Sequence, residues 1–82
     1  MALTLEIITP DGTFYNGSVT SATFQGAMGT FQVLNNHAPI ISALDKGALS
    51  YVNEEGKHSL EVDGGVVEVL KNKIIVLVES VK

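Results

Sequence analysis

Apolar and polar side chains alternate through most of this chain. Leu3, Leu5 and Ile7 form one such run, followed by Phe31 and Val33, Leu49 and Tyr51, Leu60 and Val62, Val67 and Val69, and Ile74, Val76 and Val78. Successive side chains of a strand point to opposite faces, so each run places its apolar members on one side and reads as a half-buried strand. Candidate turns separate the runs at Pro10-Asp11-Gly12, Asn16-Gly17, Gly26 to Gly29, Asn35-Asn36, Asp45-Lys46-Gly47, Asn53 to Lys57, Asp63-Gly64-Gly65 and Lys71-Asn72. The intervals are too short for helices, and no segment keeps apolar positions at helical spacing. About eight or nine strands that each bury one face need a second sheet to bury it against, which predicts an all-β, antiparallel β-sandwich. Between Ser18 and Gln25 the alternation changes phase, with Val19 on one parity and Ala22 and Phe24 on the other. A β-bulge near Thr20 and Ser21 would absorb the change.

Some large apolar residues fall on the parity that points away from the core: Ile8, Val52, Val66, Leu70, Ile75 and Leu77. A monomer rarely exposes a large contiguous apolar patch. The outer face carrying Val66, Leu70, Ile75 and Leu77 is therefore expected to be covered by another protein or another segment.

Length and charge narrow the picture. A chain of 82 residues has room for one core, so residues 1–82 are expected to form a single domain. Five lysines, no arginine and nine acids give a net charge of −4, the wrong sign for a phosphate-coated partner, which argues against nucleic-acid binding. The absence of cysteine excludes disulfides, a thiol nucleophile and thiolate metal sites. Met1 to Glu6 lacks the basic and apolar regions of a signal peptide. The apolar run Ile74 to Val78 is far shorter than the roughly 20 residues a membrane-spanning helix needs, so membrane contact is expected only through a complex.

Chemistry-bearing residues form no recognisable site. His37 and His58 lack a second ligand at metal-binding spacing, and His58, beside Glu54-Glu55-Gly56-Lys57, is expected to be solvent-exposed. The carboxylates are spread over turns and outward strand positions, with no convergent pair for acid and base roles. Gly26-Ala27-Met28-Gly29 is followed by no Lys-Ser/Thr, so it reads as a tight hairpin and not as a phosphate loop. No catalytic, cofactor-binding or metal-binding residue is assigned. A free-standing sandwich that binds a small ligand or peptide is the alternative class, and a small hydrolase or isomerase a third. The first would carry exposed loop aromatics, yet Phe24, Phe31 and Tyr51 fall on core parities.

The stretch Gly26-Ala27-Met28-Gly29-Thr30-Phe31-Gln32-Val33-Leu34-Asn35-Asn36-His37-Ala38-Pro39-Ile40 resembles the epsilon subunit family of F-type ATP synthases, in which a glycine-bounded turn, a short strand and a His-Ala-Pro loop occur at this spacing. The likeness extends through Leu5 to Thr9, Asp11-Gly12, Phe14 to Gly17, Lys46 to Leu49 and Val62 to Val69, and so covers essentially the whole chain. It implies a flattened β-sandwich of about ten short strands. It also implies a non-catalytic place in the central stalk, between the gamma subunit and the membrane-embedded c-ring, where the subunit couples ion translocation to ATP synthesis. By the same resemblance Ala27, Met28, Gly29 and Thr30 would face the c-ring. Asn36, His37, Ala38, Pro39, Ile40 and Ile41 would contact the gamma subunit. The family's long forms fold a C-terminal pair of helices onto the outer face of the sandwich, and this chain looks like a short form or an N-terminal domain without that hairpin. No ATP binding is expected, and the implied location is peripheral, on the cytoplasmic side of a bacterial inner membrane. Four positions depart from the family's usual residues: Gln32 stands for glycine, Asn35-Asn36 for Pro-Gly, and Thr30 for an acid.

Overall fold

The computed structural model describes residues 3–26, 29–36 and 38–81. Among the described residues seven strands follow one another: β1 Leu3–Thr9, β2 Gly12–Val19, β3 Ser21–Gly26, β4 Gly29–Leu34, β5 Ile40–Asn53, β6 Gly56–Leu70 and β7 Lys73–Val78. They form one sheet in the order β2-β1-β7-β6-β5-β3-β4. Among the described residues there is no helix.

The all-β class holds, but the strands are fewer and longer than the turn pattern predicts. Asp45-Lys46-Gly47 and Asp63-Gly64-Gly65 are not chain reversals. They lie opposite each other inside β5 and β6, where Leu44 pairs with Gly65 and Lys46 with Asp63. The two strands bend there together, and their inward residues change parity across the bend. On β6, Val62 is buried before it and Val67 and Val69 after it; on β5, Leu44 is buried before it and Leu49 and Tyr51 after it. Gly64 has φ +95°, and a Cβ on Gly65 would strike the carbonyl oxygen of Leu77, so the bend requires glycine at both positions. The bend folds the single sheet into two facing halves. One half holds β2, β1, β7, residues 65–70 of β6 and residues 40–44 of β5. The other holds β4, β3, residues 46–53 of β5 and residues 56–63 of β6.

Between the halves lies one core, built from Leu3, Leu5 and Ile7 of β1, Ala22 and Phe24 of β3, Val33 of β4, and Ile74, Val76 and Val78 of β7, with the β5 and β6 residues above. The body is flattened, 30 × 26 × 19 Å. These inward sets are the ones the alternation predicts, with Phe31 and Leu60 at the half-buried rim.

Three local expectations are corrected. The phase change near Thr20 is no bulge; it is the bend at which the chain leaves β2, in one half, for β3, in the other. Thr20 N–H donates to the Val52 carbonyl at 2.8 Å and so pins the crossing. The register shift on β2 lies instead between Ile7 and Ile8 of its partner, leaving Phe14 as the extra residue. Asn16-Gly17 is no turn either, since Asn16 pairs with Glu6 and Gly17 with Leu5 inside β2. Gly17 leaves room for the Tyr15 side chain, whose hydroxyl would lie 2.8 Å from a Cβ there. Finally, β1 and β7 pair in parallel. No hairpin joins these two strands, so nothing local forces them to run antiparallel.

Candidate interaction surfaces

The strand register assembles the outward residues of the first half into rows. Ile8 lies beside Leu77, Leu77 beside Val66, and Val66 beside Ala43. The next row runs Glu6, Ile75, Glu68, Ile41, and a third places Lys73 beside Leu70. Val66, Leu70 and Leu77 are exposed, Ile75 is half-buried, and Ile41 is the most open of all at 73%. Two hollows flank this face, one lined by Ile8, Val66 and Leu77 and the other by Pro39, Ile41 and Leu70. The second joins the apolar face to the loop that enters β5.

That loop begins at the turn Asn35-Asn36, where Asn36 adopts φ +64°. Ala38 and Pro39 are exposed, Ile40 is half-buried opposite Val69, and Ile41 points outward opposite Glu68. Of the residues assigned to a gamma-subunit contact, His37 lies outside the described residues. Asn36 N–H donates to Asn72 Oδ1 at 2.7 Å, and Asn72 Nδ2 donates to Asn36 Oδ1 at 3.3 Å. Sequence reading missed Asn72, because the two residues are 36 positions apart and no pattern links them.

The proposed ring-facing tip closes on the pair Gly26 and Gly29 at the end of β3 and β4. Gly29 and Thr30 are exposed there, while Ala27 and Met28 lie outside the described residues. The tip and the loop before β5 stand at opposite ends of β4. The structure therefore keeps the two proposed contact groups apart, while the loop and the apolar face adjoin.

At the edge of the core Tyr15 tilts against Tyr51, with ring centroids 4.6 Å apart, and His58 stacks on Tyr51 at 5.2 Å. His58 is not solvent-exposed as its charged surroundings suggest. It is half-buried against Tyr51, with Nε2 3.0 Å from Asn53 Oδ1, which also accepts the Glu55 N–H at 2.9 Å. Burial, then the nearby Tyr15 and Glu55, pushes the Tyr51 hydroxyl above its ordinary pKa of 10.0. Among the described residues no group of three or more His, Asp or Glu is placed to hold a metal ion.

The whole is a bent, flattened sandwich with aliphatic side chains gathered on the outside of one half. Its sequence matches the model of the ATP synthase delta/epsilon chain beta-sandwich domain over residues 2–82. The chain belongs to this family, whose epsilon chain is a structural subunit of ATP synthase and not itself catalytic. It is 38% identical over 81 residues to the ATP synthase epsilon chain of Chlorobium limicola, covering 98% of this chain and 92% of that one. It is 44% identical over 79 residues to the epsilon chain of Sulfurimonas denitrificans, but spans only 61% of that relative's length. Among solved structures, a chain of the Euglena gracilis mitochondrial ATP synthase, in a complex described as OSCP, F1 and c-ring, superposes over 99% of this chain with a TM-score of 0.92. At 20% identity, with 52% of that chain covered, this likeness shows the shared fold.

Proposed function

We propose that this chain serves in the central stalk of an F-type ATP synthase, seated between the gamma subunit and the c-ring, where it helps couple ion translocation to ATP synthesis. The carrying observation is the family match over residues 2–82, joined to an outer face whose exposed Val66, Leu70 and Leu77 call for a protein cover. Residues 1–82 act as one sandwich domain. Gly29 and Thr30, with Ala27 and Met28, form the ring contact, and the loop from Asn36 to Ile41 forms the gamma contact. The chain needs no cofactor and binds no ATP. It is peripheral to the membrane, on the cytoplasmic side of a bacterial inner membrane.

Separate substitutions test the two contacts. Thr30→Lys places a bulky charge at the hairpin tip, and Ala38→Trp places a large ring where two backbones would approach closely. Both residues are exposed, so neither change should unfold the domain. In inverted membrane vesicles Thr30→Lys should lower ATP-driven ion pumping relative to ATP hydrolysis. Ala38→Trp should weaken gamma binding by more than about 1 kcal/mol. Normal coupling in the first and unchanged affinity in the second would remove those assignments.

A further inference from the structure

The amide pair Asn36 and Asn72 joins two turns that the core does not join. Lys71 and Asn72 have φ of +51° and +62° between the closing pair Leu70 and Lys73, the mark of a type I′ hairpin turn. Glycine is the favoured residue at the second central position of such a turn. Asparagine there supplies a side chain that glycine lacks, and both of its polar groups are used on Asn36. Its carbonyl meanwhile accepts the Thr4 N–H at 2.9 Å, which ties the same turn to β1. Four residues after Asn36 the chain re-enters the sheet at Ile40, opposite Val69 of β6. The loop before β5 is thus anchored at both ends to the β6–β7 hairpin, through Asn72 at its start and Val69 at its finish. The second anchor is ordinary strand pairing, whereas the first depends on one side chain.

We infer that Asn36 and Asn72 form a latch that presets the loop entering β5 in the conformation that docks on the partner subunit, with Asn72 as a positioning residue. The inference rests on the reading of that loop as the gamma-subunit contact. A latch acts on the free protein. When only a fraction of molecules hold the docking conformation, apparent affinity falls by that fraction, because the partner meets fewer competent molecules. Loss of a direct contact instead speeds dissociation.

Three variants grade the latch. Asn72→Gly deletes both side-chain hydrogen bonds and keeps a residue suited to the left-handed backbone. Asn72→Asp keeps an acceptor for the Asn36 N–H. Asn36→Gly removes only the 3.3 Å bond. Binding of the 82-residue chain to purified gamma subunit would be followed by surface plasmon resonance, with urea unfolding and amide exchange at residue 36 alongside. Asn72→Gly should slow association about fivefold, the effect of a competent fraction near one in five, and leave dissociation within about twofold. Asn72→Asp and Asn36→Gly both keep the 2.7 Å bond and lose the 3.3 Å one, so both should fall between the parent and Asn72→Gly. The residue-36 amide should exchange faster in Asn72→Gly. Unchanged association in Asn72→Gly, or equal losses in Asn72→Gly and Asn72→Asp, would overturn the latch. Ala38→Trp separates the latch from the reading beneath it. If Ala38→Trp loses gamma binding and Asn72→Gly does not, the contact stands and the latch falls. If neither changes binding, both fall.

Discussion

The two outer faces of this sandwich differ in chemistry although both belong to one sheet. On one, the rows Ile8, Leu77, Val66, Ala43 and Glu6, Ile75, Glu68, Ile41 bring aliphatic side chains together. On the other, the corresponding rows are Leu34, Ser21, Val52, Lys57 and Gln32, Thr23, Ser50, Ser59, with Ala48 beside Glu61. The inward faces had to be apolar on both sides, because they share a core. The outward faces were free to be polar; one is mostly so, with Leu34 as its exposed large aliphatic, while the other gathers Ile41, Val66, Leu70 and Leu77. Folding therefore does not account for the exposed Val66, Leu70 and Leu77, and the proposed cover, by a partner or another segment, would.

The largest expected effect attacks the bend that creates two faces. Gly65→Ala drives a Cβ into the Leu77 carbonyl, a backbone group of the neighbouring strand that has no room to give. Stability to urea should fall by about 3 kcal/mol or more, in the range of backbone strain combined with core disruption. A variant as stable as the parent would mean that the bend tolerates an ordinary residue.

A second prediction sharpens the contrast between the faces. Val66→Lys with Leu77→Lys should change the stability of the isolated domain by no more than about 1 kcal/mol, since both side chains are exposed. It should nevertheless abolish incorporation into the synthase. Ser50→Lys with Ser59→Lys, on the polar face, should leave both stability and incorporation unchanged. Equal behaviour of the two pairs in a membrane incorporation assay would erase the distinction.

The smallest effect concerns the aromatic edge. Tyr51 has a raised pKa in the folded chain, so above pH 10.0 the unfolded state gives up its proton first. The stability linked to this hydroxyl is complete below pH 10.0 and is lost as pH rises toward the folded value. Tyr51→Phe should therefore show a shallower decline of urea midpoint above pH 10.0 than the parent, with little difference at neutral pH. Parallel curves would place the alkaline loss on other groups.

Much of the fold was legible because burial imposes a period of two on each strand. Ile74, Val76 and Val78, or Leu3, Leu5 and Ile7, could face the core in only one way. The outward excess at Val66, Leu70, Ile75 and Leu77 was legible for the same reason, as a departure from that period. What escaped were features decided by distant parts of the chain. Asp63-Gly64-Gly65 carries the residues of a turn, and only the pairing of Gly65 with both Leu44 and Val78 makes it a bend inside a strand. The parallel pairing of β1 with β7, the stacking of His58 on Tyr51, and the reach of Asn72 to Asn36 depend on tertiary placement, which local pattern does not encode.

The most direct test of the central claim is co-purification. The tagged chain would be expressed in place of a cell's own epsilon chain, detergent-solubilised membranes passed over an affinity column, and the gamma and c-ring subunits quantified by mass spectrometry. The account predicts that both are recovered with the chain in fixed proportion and lost together in the Val66→Lys, Leu77→Lys variant. Recovery of the chain alone, from membranes that hold an intact synthase, would contradict it.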